Sequence, residues 1–235
     1  MIKAVFIDID NTLLDFDAYA AESMREGFEK FGLPPYEPAM LPVFKSLNEE
    51  FWRMIERGEL DLEGLRRDRW NIIFRALGIS FDGETFEAFF RERLFSSAIP
   101  VEGAHAMLSY LAPKYILCAA SNGPYEQQMN RLRLAKMDGY FKFFFISGEM
   151  GLSKPSRAFF DAAIGRINAA ERDAGGPEIR SDEMMIIGDS LSSDIAGGRA
   201  CGLKTCLFDP RRTLMPGAPA PDYVIHELHE VRGIL

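Results

Sequence analysis

The chain has 235 residues, 47% of them hydrophobic and 26% charged, and its 27 Lys and Arg against 35 Asp and Glu leave a net charge of −8. Such a composition belongs to a folded globular chain and excludes a disordered or collagen-like one. The acidic balance argues against nucleic-acid partners, which call for a basic face, and no apolar run approaches the roughly 18 residues of a membrane span.

The chain starts Met1-Ile2-Lys3 and passes at once into Ala4-Val5-Phe6-Ile7, a short apolar run that leads into acids. It is too brief, and too charged at its exit, for a secretory signal. It reads instead as a strand buried on both faces, as strands of parallel sheets are. Residues 16–95 then read as helices only. Ala21, Met24, Phe28 and Phe31 fall at helical spacing, as do Phe44, Leu47, Phe51 and Met54. Trp70, Ile73, Phe74 and Leu77 form a third set, and Phe86, Phe89, Phe90 and Leu94 a fourth. Gly32-Leu33-Pro34-Pro35, Gly58 and Gly78 punctuate them. Both tryptophans and 11 of the 19 phenylalanines lie in this block, so it is expected to be a small helical domain with its own aromatic core, inserted after the first strand.

From there strands and helices alternate. Apolar runs at 115–120, 143–146, 184–187 and 205–208 read as strands, with a last short one at Tyr223–Ile225. Helical patterns are marked by Met107, Leu108 and Leu111, by Met129, Leu132 and Leu134, and by Phe159, Phe160, Ala163, Ile164 and Ile167. This predicts an α/β fold, a doubly wound, Rossmann-like parallel sheet with right-handed crossovers, made of residues 1–15 and 96–235 around the helical insert at 16–95. Residues 171–182 read as a polar loop and 211–221 as a proline-rich one.

Cys118, Cys201 and Cys206 have no zinc-type companions and are expected to be reduced thiols in a cytoplasmic protein. His105, His226 and His229 show no triad or metal spacing and are expected in surface or packing roles.

Open α/β sheets bind ligands beyond the carboxyl ends of their strands, so the residues that follow each strand carry the chemistry. Asp8 and Asp10 follow the first, two apart and so projecting to one side of extended chain. Ser121 and Asn122 follow the second, just before a helix start. Lys154-Pro155 follows the third, and Gly188-Asp189-Ser190 with Asp194 the fourth. Each is ordinary alone: acids end strands, Asp194 suits a helix start, and Ser121-Asn122 suits an N-cap. Together they place four carboxylates, one lysine and two neutral polar groups around one rim. Two carboxylates about 4 Å apart repel by roughly 4 kcal/mol at an effective dielectric near 20, so such a cluster calls for a cation. Oxygen-only ligands select a hard ion, with Mg²⁺ expected beside a substrate phosphate. An aspartate is a competent covalent nucleophile for phosphoryl transfer.

These residues resemble the motifs of the haloacid dehalogenase-like superfamily of hydrolases. Asp8-Ile9-Asp10-Asn11-Thr12-Leu13 is similar to its first motif, Ser121-Asn122-Gly123 to its second, Lys154-Pro155 to its third, and Gly188-Asp189-Ser190-Leu191-Ser192-Ser193-Asp194 to its fourth. The resemblance covers nearly the whole chain, and the insert is similar to the superfamily's helical cap. It implies that Asp8 is the nucleophile and Asp10 the general acid and then base, with a backbone carbonyl toward Mg²⁺. It further implies that Asp8 and Asp189 hold the ion, that Asp194 adjusts that site, that Ser121 and Asn122 bind the phosphoryl group, and that Lys154 orients Asp8. In the superfamily's dehalogenases the second acid of the first motif is absent and no magnesium is used, so Asp10 with Asp189 and Asp194 implies a phosphatase acting on small phosphate esters. A non-catalytic phosphate-binding relative would have lost a carboxylate or the lysine, and a receiver-type signalling domain would lack the insert.

The run Leu47-Asn48-Glu49-Glu50-Phe51-Trp52, continued by Arg57-Gly58-Glu59-Leu60, Leu65 and Arg69-Trp70, resembles the cap of the superfamily's pyrimidine 5′-nucleotidases, as do Tyr140-Phe141 and the stretch 146–151. That implies a nucleoside monophosphate as substrate, with Trp52 or Trp70 available to stack on a base or else part of the cap core. The N-acylneuraminate-9-phosphatases share much of the pattern and phosphoglycolate phosphatase shares the core, so a sugar phosphate stays open, as does a monomer or a homodimer. Hinges are expected near 14–17 and 95–101.

Overall fold

The computed structural model describes residues 1–214 and 220–235; the expected proline-rich loop at 211–221 thus lies in part outside the described residues. The described chain divides into two compact units, one of residues 1–15 and 100–235, the other of residues 16–99.

The first unit is built on strands β1 (Ala4–Ile7), β2 (Ile116–Ser121), β3 (Phe143–Ile146), β4 (Met184–Gly188), β5 (Lys204–Phe208) and β6 (Tyr223–Ile225). Among the described residues they form one sheet in the order β3-β2-β1-β4-β5-β6, and every pairing is parallel. Among the described residues of this unit are the α-helices α5 (Ala104–Leu111), α6 (Tyr125–Leu134), α7 (Ser147–Met150), α8 (Arg157–Asp173) and α9 (Ala196–Ala200). β1 is apolar at every position because both faces are covered: Ala4, Val5, Phe6 and Ile7 are all fully buried. Phe6, Ala120, Phe145 and Ile186 pack against Phe159, Phe160, Ala163 and Ile167 of α8 on one face, and the alternate residues Val5, Ala119, Met185 and Ile187 are buried as well, while Phe144 on the edge strand β3 is half-buried. The chain leaves β1 first toward β2 and β3, then returns past it to β4. The strand order therefore reverses between β1 and β4, where Ile7 pairs with Ile187, and it is there that an open sheet offers a crevice to a ligand.

Some expectations change in this unit. Helix α8 runs on to Asp173, so the polar loop expected from 171 begins after it. Ser121 closes β2 and Pro124 is the N-cap of α6, with no side-chain cap bond, so Ser121-Asn122 is not a helix cap. Leu134 is 51% exposed; the buried face of α6 carries Gln128 and Arg131 beside Met129 and Leu132. The three cysteines are free and buried. His105 and His229 are exposed, and His226 Nδ1 lies 2.6 Å from the Asp209 carbonyl oxygen.

The second unit holds α1 (Phe16–Lys30), α2 (Met40–Glu56), α3 (Leu62–Leu77) and α4 (Gly83–Phe95). Asp61 and Asp82 start α3 and α4 by accepting bonds from the Gly64 and Thr85 amides, and Gly78 ends α3 in the left-handed conformation at φ 69°. The core is aromatic. Trp70 is fully buried, with its ring centroid 4.3 Å from that of Phe86 and 5.4 Å from those of Phe44 and Phe74. Trp70 is therefore core and cannot stack on a ligand, whereas Trp52 is only half-buried. Ala20, not Ala21, is the buried alanine of α1. A buried ion pair crosses this core: Arg69 donates to both Glu87 oxygens, at 3.0 and 2.8 Å, and to Asn48 Oδ1 at 3.0 Å.

Candidate active site

The reversal point of the sheet gathers the polar residues. The β1–β4 ladder continues one residue past the strand, where the Asp8 amide donates to the Ile187 carbonyl at 2.9 Å. Ile9 is fully buried, and a tight turn follows: the Leu13 and Leu14 amides donate to the Ile9 carbonyl at 2.9 and 2.8 Å. Asn11 takes φ 57° in this turn, a left-handed conformation that asparagine tolerates better than most residues. The turn leaves Asp8 buried and brings Asp10 to the rim, its side chain 31% exposed.

On the neighbouring strand, Gly188 ends β4 and Asp189 follows, half-buried. The chain then closes a wide turn in which Ser190 Oγ accepts from the Ser193 amide at 3.1 Å and Asp194 Oδ2 accepts from the Ser190 amide at 3.2 Å. The turn folds Asp194 back over the strand end. A Cβ on Gly188 would stand 2.2 Å from Asp194 Oδ2, so only glycine admits the carboxylate there.

Lys154 enters from the far side of β2. The Asn122 amide brackets its backbone, with Nδ2 donating to the Lys154 carbonyl at 2.8 Å and Oδ1 accepting from its amide at 2.9 Å. Lys154 Nζ donates to Asp8 Oδ1 at 2.6 Å, Asp194 Oδ1 at 2.6 Å and the Ala120 carbonyl at 2.7 Å. Three acceptors match the three protons of an ammonium, which is how a side chain only 2% exposed stays charged. Burial alone would push the lysine down, but the Asp194 and Asp8 carboxylates outweigh it and hold it above the ordinary lysine range.

Asp8, Asp189 and Asp194 bring one oxygen each within 4.8 Å of one another. Burial raises the Asp8 carboxyl, Lys154 pulls it down, and Asp194 and Asp10 push it up again, leaving it at about 7. Burial, then the charges of Asp8 and Asp194, hold Asp189 well above the usual carboxylate range. Both groups are short of positive charge: three carboxylates against one lysine leave a formal −2 when all are ionised. The donor set is three hard oxygens with no sulfur or imidazole, and it fits a divalent cation of the magnesium kind in both charge and chemistry.

Asp10 behaves differently from the expectation that four acids share one ion. Its Oδ1 lies 2.6 Å from Arg131 Nη1 and its Oδ2 accepts from Gln128 Nε2 at 2.7 Å. Gln128 Nε2 also donates to Ser121 Oγ at 2.7 Å, and Gln128 Oε1 accepts from Arg131 Nη1 at 2.8 Å. The Asp10 carboxylate is thus neutralised by an arginine and stands outside the group of three. The structure brings Asp8, Asp189, Asp194 and Lys154 into one network and Asp10 and Ser121 into an adjoining one, while the Asn122 side chain serves the Lys154 backbone. The strand-end motifs of the sequence do not include Gln128 and Arg131. The signal for them is their three-residue spacing on the buried face of α6, directly before Met129 and Leu132, where a polar pair needs a partner to justify burial.

Residues 2–202 match the family model of haloacid dehalogenase-like hydrolases. The chain is 31% identical over 235 residues to the HAD-hydrolase YfnB of Bacillus subtilis (strain 168), covering 99% of this chain and 95% of that one. A crystal structure of YfnB bound to magnesium superposes with a TM-score of 0.87 at 30% identity, covering 100% of this chain and 98% of that one. The pyrimidine 5′-nucleotidase PynA of Streptococcus pneumoniae (strain ATCC BAA-255 / R6) is 26% identical over 99% of this chain and 94% of its own. The pyrimidine 5′-nucleotidase YjjG of Escherichia coli (strain K12) is 26% identical over 98% of this chain and 96% of its own. With its strand-end aspartates and lysine gathered where the strand order reverses and this match over most of its length, the chain belongs to the haloacid dehalogenase-like hydrolases.

Proposed function

We propose that this hydrolase is a magnesium-dependent phosphatase of small-molecule phosphate monoesters that works through a phospho-aspartate at Asp8. The observation that carries the reading is the joint placement of Asp8 against Lys154 and the Asp189–Asp194 pair, with a second acid, Asp10, at the rim. Asp8, Asp189 and Asp194, with the Asp10 backbone carbonyl, would hold the ion. Bound there, Mg²⁺ would supply charge neutralisation for the cluster and for the phosphoryl oxygens.

The chain's own groups account for the rest. Lys154 holds Asp8 Oδ1, which fixes the carboxylate's rotation and favours its ionised, nucleophilic form against the effect of burial. An Asp8 oxygen forms a bond to phosphorus as the ester P–O bond breaks, and Asp10, which first takes up a proton from solvent at the rim, gives it to the departing oxygen. Asp10 then takes a proton from water, whose oxygen attacks the same phosphorus; the Asp8–phosphate bond breaks, and inorganic phosphate and free Asp8 result. Ser121 Oγ accepts a bond from Gln128, so its own proton is free to be donated to the phosphoryl group. Asn122 serves the same group from its backbone and by fixing Lys154. Positioning and charge neutralisation are the main demands of phosphoryl transfer. A dehalogenase reading is disfavoured because it has no use for Asp10, Asp189 and Asp194 together.

The substrate assigned is a nucleoside 5′-monophosphate. Support comes from the cap-like run at 47–70 and from PynA and YjjG, which match over nearly the full chain. The helical unit at 16–99 is assigned the role of the cap domain. Three free, buried cysteines support a cytoplasmic setting. The test is a panel of nucleoside monophosphates and sugar phosphates, assayed for phosphate release with Mg²⁺ and with EDTA. Mg²⁺-dependent release with nucleotides preferred is expected, and Asp8→Asn should abolish it. Sugar phosphates turned over a hundredfold better than any nucleotide would overturn the substrate assignment, and full activity of Asp8→Asn would overturn the nucleophile.

A further inference from the structure

Resting on that phosphatase reading, we propose that Arg131 is a positioning residue, one that acts on the reaction by fixing the carboxylate of Asp10. Arg131 is 1% exposed and lies one helical turn after Gln128 on α6. Burying a guanidinium is costly, and an apolar side chain of similar volume is often as stable or more so, so packing alone does not account for an arginine there. The pair is also lopsided: the Arg131 side chain is 2% exposed and that of Asp10 31%. The cation is anchored in the core and the anion reaches the rim.

The bonds divide the two carboxylate oxygens. Oδ1 is held by the charged Arg131 Nη1 at 2.6 Å, while Oδ2 is held by the neutral Gln128 amide at 2.7 Å. The charged contact is the stronger. Oδ1 is therefore the pivot, and Oδ2 is the oxygen that carries the proton to the leaving group and takes it back from water. Arg131 also sets which way the Gln128 amide points, because Oε1 accepts from Nη1 at 2.8 Å. With Oε1 turned to the arginine, Nε2 faces both Asp10 Oδ2 and Ser121 Oγ. A flipped amide would set oxygen against the carboxylate.

A residue that acts through the general acid matters most when the leaving group needs a proton. The experiment compares kcat/KM for p-nitrophenyl phosphate, whose leaving group departs as a stable anion, with that for an alkyl ester, glycerol 3-phosphate or a nucleoside 5′-monophosphate, whichever the wild type turns over faster. Arg131→Met should lose about 10²-fold with the alkyl ester, within the range of general acid–base catalysis, and less than about threefold with p-nitrophenyl phosphate. Arg131→Lys should recover part of the alkyl activity. Added to Asp10→Asn, Arg131→Met should cost less than about twofold more, since residues acting as one unit do not add. Equal losses on both esters, or a full further loss in the Asp10→Asn background, would overturn the proposal. If circular dichroism shows Arg131→Met unfolded, Arg131→Lys carries the comparison: a smaller split of the same sign supports the proposal and no split overturns it. A wild type inactive on every phosphate ester would remove the phosphatase reading and this inference with it, whereas an active wild type with no split removes this inference alone.

Discussion

Lys154 and Asp194 form an ion pair out of reach of solvent: Nζ stands 2.6 Å from Oδ1, with the two residues 1% and 0% exposed. The same ammonium holds Asp8 at 2.6 Å, so one buried cation ties the strand end after β1 to the turn after β4. Removing one partner of such a pair leaves the other charge buried and uncompensated. Lys154→Met should therefore lower stability by about 3–5 kcal/mol, read from urea unfolding without metal. Adding Mg²⁺ should recover part of the loss, because the remaining deficit is one of positive charge. A variant as stable as wild type would mean that the pair is not compensating a buried charge.

Gly188 tests the geometry of the turn. A methyl group there would meet Asp194 Oδ2 at 2.2 Å and its Cγ at 2.4 Å, neither of them the free end of a flexible side chain. Gly188→Ala should push Asp194 off the strand end and break its bond to Lys154. Phosphate release should fall at least tenfold, and Mg²⁺ should protect the fold less than in wild type, as read from melting temperatures with and without the ion.

The acidic cluster makes the metal-free protein sensitive to pH in a defined direction. Asp8 is raised to about 7 from an ordinary aspartate value of 3.8, and Asp189 is raised well above 3.8. Between about pH 4 and pH 7 the folded chain retains protons that the unfolded chain has released. Stability from these groups is therefore full below the unfolded value and is lost as pH rises through the folded one. In EDTA the melting temperature should fall between pH 5.5 and pH 7.5 more steeply than in an Asp189→Asn variant. Mg²⁺ should raise the melting temperature more at pH 7.5 than at pH 5.5, because its ligands must be ionised to bind. Protection that is equal at both pH values would contradict ligation by these carboxylates.

The helical unit has its own weak point. Trp70 is fully buried among Phe44, Phe74, Phe86 and Phe90. Trp70→Ala should cost about 3–5 kcal/mol, as large-to-small changes of core aromatics do. Trp52→Ala, at a half-buried position, should cost clearly less, so the two variants separate core packing from a surface role when unfolding is followed by urea titration.

Much of this molecule was legible from residue order alone. An unbroken apolar run such as Ala4–Ile7 has no polar face to offer water, so it had to be an inner strand covered on both sides. Helical spacing of aromatics over residues 16–95 could be satisfied only by helices packed on one another. The polar residues that follow four strands had to lie along one edge, since parallel strands end on the same side of the sheet. Local pattern thus determined the fold class and the gathering of Asp8, Asp189, Asp194 and Lys154. Which side chain meets which was decided by tertiary structure. Spacing set Asp10 with the other acids, but only the approach of α6 turned its carboxylate to Arg131 and Gln128. Composition could not tell Trp70 from Trp52, and Leu134 kept helical period yet ended on the exposed side. The reason is physical: periodicity reports how a segment divides between water and core, whereas the pairing of buried charges depends on distances between segments far apart in the chain.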